Sequence, residues 1–129
     1  MDVKKVLIID DEETARKLFC VELGRFKNVE VVEAADGERG LRLARSVKPD
    51  LILLDNMMPG LSGEQTAKKI RSDDQIKSIP IIMVTAMDLT GKEIDLIKLD
   101  VNEFLTKPIN LWKLQEILQK YLGDMIEVL

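Results

Sequence analysis

The chain has 129 residues, a length that suits one domain able to bury roughly two-thirds of its unfolded surface. With 46% apolar and 33% charged residues and a net charge of −4, it lies outside the disordered class and lacks the cationic excess behind non-specific nucleic-acid binding. It has no histidine and a single cysteine, Cys20, which rules out Ser-His-Asp and Cys-His catalysis, an internal disulfide and most zinc sites.

No apolar run approaches the roughly 18 residues of a membrane span, and Met1 to Lys5 leads straight into a strand. No membrane contact, no cleavable leader and a cytoplasmic address are therefore expected. The first apolar run, Val6, Leu7, Ile8 and Ile9, ends in Asp10 and Asp11. A helix is predicted from residue 13 to about 25, with Ala15, Leu18, Phe19, Glu22 or Leu23, and Phe26 at three- and four-residue spacing. The second run, 29–32, ends in Glu33, Ala34 and Ala35 and offers little chemistry; a helix over 37–47 follows, carried by Leu41, Leu43, Ala44 and Val47. The third run, Leu51, Ile52, Leu53 and Leu54, ends in Asp55, and a weaker helix is predicted over 62–72 with Ser62 as N-cap. The fourth run, 81–84, ends in Thr85, followed by a helix over 90–99 on Ile94, Leu96, Ile97 and Leu99. The fifth, 104–106, ends in Lys107 and Pro108. The last helix, 110–122, repeats Leu111, Leu114, Ile117 or Leu118, and Leu122 between an Asn110 N-cap and a Gly123 C-cap. One domain over 1–123 and a short tail over 124–129 are expected.

Alternating strands and helices mean βαβ units, hence a parallel sheet with helices on both faces. Right-handed crossovers then bring every strand's C-terminal end to one edge. The doubly wound, flavodoxin-like order 2-1-3-4-5, with five strands and five helices, makes the first and third strands neighbours at the switch point. Asp10 and Asp11 meet Asp55 there, with Thr85 and Lys107 one and two strands away. Two unit charges 4 Å apart repel by about 4 kcal/mol at an effective dielectric of 20, and Lys107 alone cannot cancel three carboxylates. A hard cation is expected, and Mg²⁺ suits one or two carboxylates plus water and phosphate. A carboxylate nucleophile can form an acyl phosphate. That reaction needs positive charge on the transferring oxygens, which Mg²⁺, Lys107 and the Thr85 hydroxyl would supply.

From Lys4 to about Gly123 the chain resembles a response-regulator receiver domain of two-component signalling, similar to the chemotaxis receivers. The residues that carry this are Asp10-Asp11, Asp55-Asn56-Met57-Met58-Pro59 with Gly63, Thr85-Ala86 and Lys107-Pro108, in that order. The resemblance implies that Asp55 accepts a phosphoryl group from a histidine on a partner kinase or phosphotransfer protein. It implies Asp11 as the direct Mg²⁺ ligand and Asp10 as a ligand largely through water, with Asp55 and the backbone carbonyl of Met57 completing the set. Lys107 would grip the phosphoryl oxygens, and its peptide bond to Pro108 would be cis. Thr85 would move toward the phosphoryl group and Phe104 rotate inward, changing the face of the fourth helix, fifth strand and fifth helix that a downstream protein reads. The chain would then be a signalling protein, not an enzyme, assisting only its own phosphorylation and dephosphorylation.

Two positions depart from the family pattern. Asp100-Val101 replaces the usual Gly-Ala before the fifth strand, where a different turn is expected, and Asn56 replaces a commoner aliphatic residue beside the acceptor. Met57 and Met87 occupy the two positions that tune dephosphorylation in the family. Neither side chain can orient an attacking water, so slow self-dephosphorylation is expected.

Other readings fit less well. A haloacid-dehalogenase-like phosphatase also uses Asp, Thr, Lys and Mg²⁺, but it wants a second Asp two residues after the nucleophile, where Met57 stands, and a cap domain. A dinucleotide or flavin binder needs a Gly-rich phosphate cradle after the first strand, where this chain has acids that repel a pyrophosphate. A receiver cut from a hybrid histidine kinase or a transcription factor would look the same as a free-standing one. Glu12 and Glu13 suit a helix N-terminus, and the mixed charges of the fourth helix suit a solvated face. Trp112 flanks the last helix's apolar stripe, either partly buried under the tail or serving as an anchor for a partner.

Overall fold

The computed structural model describes residues 2–86 and 89–123. Five strands, β1 (Lys4–Ile9), β2 (Val29–Ala34), β3 (Leu51–Asp55), β4 (Ile81–Thr85) and β5 (Glu103–Thr106), alternate with five helices. These are α1 (Glu13–Leu23), α2 (Gly37–Val47), α3 (Gly63–Arg71), α4 (Gly91–Ile97) and α5 (Leu111–Leu122). All strand pairs are parallel and the sheet order is β2-β1-β3-β4-β5. The expected architecture is the observed one.

A parallel sheet covered on both faces must be apolar on both sides of each central strand, and β1, β3 and β4 are continuous runs for that reason. Register sorts the alternating side chains into two cores. Leu7, Ile9, Ile52, Leu54, Ile81 and Met83 pack with Leu41, Ala67, Ile70 and Ile97, from α2, α3 and α4. Val6, Ile8, Leu51, Leu53, Ile82 and Val84 pack on the opposite face with Phe19, Leu23, Leu114, Ile117 and Leu118, from α1 and α5. Each large apolar side chain among these contributes about 1.5–3 kcal/mol on burial. Together they hold the strand ends at one rim.

Local signals fix most helix starts. Ser62 and Gln65, and Thr90 and Glu93, form reciprocal capping boxes. Asn110 accepts from the Trp112 and Lys113 amides, and Asp36 from that of Arg39. Gly123 stands at the C-cap of α5 with φ 74°.

Two helices are shorter than their spacing predicts. α1 stops at Leu23, because Phe26 reaches the core from a turn in which its N–H donates to the Leu23 carbonyl at 3.1 Å. α4 stops at Ile97, and Leu99 is 78% exposed. Leu18 on α1 and Leu96 on α4 also face solvent and do not belong to the core. Trp112 is 82% exposed. The tail over 124–129 lies outside the described residues.

Candidate functional site

The C-terminal rim of the sheet gathers the strand-end residues. β1 runs into Asp10 and Asp11, and the β1–β3 and β3–β4 pairings bring Asp55 and Thr85 alongside. The carboxylates of Asp10, Asp11 and Asp55 each offer an oxygen within 4.8 Å of the other two. Asp10 and Asp55 are buried and Asp11 is exposed, so the cluster opens to solvent on the Asp11 side.

Lys107 enters from the loop after β5. Its Nζ stands 3.4 Å from both Asp10 Oδ2 and Asp55 Oδ1, and its backbone N–H donates to the Thr85 carbonyl at 2.8 Å. The Lys107–Pro108 bond is cis. Thr85 is buried at the end of β4, opposite Thr106. All five residues expected at this edge, Asp10, Asp11, Asp55, Thr85 and Lys107, are at it.

The electrostatics follow from the packing. Burial is the first cause that pushes the Asp55 carboxyl up, to about 6; the Asp10 charge adds to it and Lys107 opposes it. Burial alone would lower Lys107, yet the Asp55 and Asp10 carboxylates hold it above the usual range. One ammonium shared by two buried carboxylates leaves negative charge uncompensated. Oxygen-only donors around such an excess suit a hard divalent cation, and the donor set fits Mg²⁺.

The neighbouring loop is built by close approach. Asn56 donates its N–H to the Val84 carbonyl and accepts from the Gly63 amide, both at 3.0 Å. A Cβ at Gly63 would overlap the Asp55 carbonyl oxygen, so only glycine lets α3 begin this near the rim. Met57 follows with its side chain 73% exposed. Its thioether is a poor partner for a hard ion, which leaves the backbone carbonyl as the ligand it has to offer. Phe104 is half-buried against the α2–α3–α4 core, with Met83 opposite it in the register. Met87, the second position expected to tune dephosphorylation, lies outside the described residues.

Three sets of contacts, two near the site and one away from it, are not legible in the sequence. Glu12, read as a helix-dipole residue, places Oε1 3.9 Å from Lys107 Nζ; the run of acids was its only signal. Arg16 donates from Nη1 to the Asp10 carbonyl at 2.8 Å and from Nε to Glu33 at 3.2 Å. At the opposite rim the Asp100-Val101 turn is tied to α3. The Asp100 carbonyl accepts from Arg71 Nε at 2.9 Å, its carboxylate pairs with Lys68 at 3.0 Å, and Val101 is buried.

Comparison with known proteins agrees with this fold. The model of the response regulator receiver domain matches residues 6–119. The polar-differentiation response regulator DivK of Brucella anthropi is 36% identical over 121 residues, covering 94% of this chain and 98% of that one. Among solved structures, Vibrio cholerae chemotaxis protein CheY4 is 31% identical with a TM-score of 0.83, over 92% of this chain and 98% of the other. The receiver domain of sensor histidine kinase PA1611 from Pseudomonas aeruginosa is 29% identical with a TM-score of 0.83, over 95% and 99% of the two chains. That structure carries a magnesium ion coordinated in its active site cleft.

Proposed function

The chain belongs to the response regulator receiver domain family, whose general function is phosphorylation-dependent signalling, and from that premise we propose that Asp55 is its phosphoacceptor. The observation that carries this reading is the rim itself: a buried carboxylate 3.4 Å from a lysine ammonium, flanked by two further carboxylates and a buried threonine. A carboxylate oxygen of Asp55 attacks the phosphorus of a phosphohistidine. The P–N bond breaks, an acyl phosphate forms, and the departing imidazole nitrogen takes up a proton. Asp10, Asp11, Asp55 and the Met57 carbonyl would hold Mg²⁺, which when bound supplies positive charge to the phosphoryl oxygens.

This chain's own residues do the rest. Lys107, already between Asp10 and Asp55, turns its ammonium to a phosphoryl oxygen. The Thr85 hydroxyl donates to another, and Phe104 carries the change into the α4–β5–α5 face that a downstream protein reads. The donor is a histidine kinase or phosphotransfer protein. The receiver unit spans 1–123, with 124–129 as a tail. Among the described residues no helix is long and apolar enough to cross a membrane, and we place the protein in the cytoplasm. It turns over no separate substrate.

The test is the intact mass of the protein after incubation with acetyl phosphate and Mg²⁺, in wild type, in Asp55→Asn and with EDTA. One phosphoryl adduct is expected, absent from the variant and from the chelated sample. An adduct that persists in Asp55→Asn would place the acceptor elsewhere. Continuous phosphate release without a retained adduct would point to a phosphatase.

A further inference from the structure

Arg16 takes no part in the chemistry above, yet it holds the backbone that carries two of its carboxylates. Its side chain leaves the first turn of α1 and is only 15% exposed. The guanidinium forks: Nη1 donates to the Asp10 carbonyl at 2.8 Å and Nε to Glu33 Oε1, at the end of β2, at 3.2 Å.

The rest of Asp10 is fixed independently. Its N–H donates to the Ala34 carbonyl at 3.1 Å, and its Oδ1 accepts the Glu12 N–H at 2.9 Å. The Asp10 carbonyl and the Asp11 amide belong to one planar peptide unit. The bond from Arg16 therefore sets the direction in which the chain leaves for Asp11. Asp11 needs that support, because it is exposed and its carboxylate has no hydrogen-bond partner among the described residues. A bare guanidinium beside a cation site would repel the cation, and Glu33 offsets that charge. The planar fork of arginine presents separate, pre-aligned donors to the carbonyl and to Glu33.

We propose, resting on the reading that Asp10, Asp11 and Asp55 hold a divalent cation, that Arg16 is a positioning residue that fixes the Asp10–Asp11 peptide for metal binding, with Glu33 orienting it and offsetting its charge. Removing a mere nearby cation would tighten Mg²⁺ binding; removing a positioning contact loosens it. The sign of the change separates the two.

Isothermal titration of Mg²⁺ into wild type, Arg16→Ala, Arg16→Lys and Glu33→Gln, with the metal-free urea midpoint of each, tests this. Arg16→Ala is expected to weaken Mg²⁺ affinity about tenfold. Arg16→Lys recovers only part of the loss, because it keeps the charge without the fork, and Glu33→Gln shifts affinity in the same direction. Phosphoryl uptake from acetyl phosphate in Arg16→Ala returns to the wild-type rate at saturating Mg²⁺. Unchanged affinity with a lower metal-free midpoint would overturn the proposal in favour of a plain structural contact, and tighter binding would overturn it in favour of a charge effect. Wild type that binds no Mg²⁺ would remove the metal reading and this proposal with it.

Discussion

At Asp55 the needs of the fold and of the chemistry conflict. Burial and the Asp10 charge raise its carboxyl to about 6, above the ordinary value near 3.9 that the unfolded chain retains. The folded protein then binds this proton more tightly than the unfolded one. Its contribution to metal-free stability is full below about pH 4 and is lost as pH rises through about 6. Asp55→Asn is expected to raise metal-free stability at pH 7.5 by about 1–2 kcal/mol, the gain shrinking toward pH 4, as urea denaturation at the two pH values would read. A gain independent of pH would assign the effect to packing instead. Lys107 relieves part of the strain from its shared position, 3.4 Å from Asp10 and from Asp55, and a group held between two acceptors can change partner with little motion.

Among the elements, α3 does more than its weak apolar pattern suggests. From its last residue Arg71 donates to the carbonyls of Asp100, Lys77 and Ile79 and to Asn102 Oδ1, all within 2.7–2.9 Å. Asn102 Oδ1 also accepts the first amide of β4. Arg71→Met is expected to lower the unfolding free energy by about 2–4 kcal/mol in urea titration, since it leaves several carbonyls without their charged donor. None of this could be read from the chain, because a side chain's reach depends on tertiary placement. The strands could be read, because burial on both faces forces uninterrupted apolar runs. The rim residues could be read for a related reason: in a parallel sheet, topology alone brings Asp10, Asp55, Thr85 and Lys107 to one edge. The failures lie at helix ends, where Phe26 and Leu99 keep helical spacing after the hydrogen-bonded helix has stopped. Arg16 and Glu12 were missed because spacing describes faces of helices and says nothing about which backbone group a long side chain meets.

Across the whole molecule, a cation bound at the rim couples to global unfolding, since its ligands come from segments distant in sequence and disperse when the chain unfolds. Mg²⁺ at about 100 times its dissociation constant is expected to add about 2.7 kcal/mol to the unfolding free energy. Asp11→Asn should remove most of that gain in thermal melts with and without the ion; a full gain in the variant would move the ion elsewhere. The fastening of the Asp100 turn has a mechanical consequence at the same scale. α4 leaves the carboxylate rim and ends at the opposite one, beside the turn that Lys68 and Arg71 hold. Its only fully buried side chain, Ile97, sits at that same end. The helix is thus a lever about 10 Å long whose fulcrum is at Asp100. A small tilt there would be magnified at Thr90, so a change at the rim is expected to swing the near end of this helix rather than slide the whole rod.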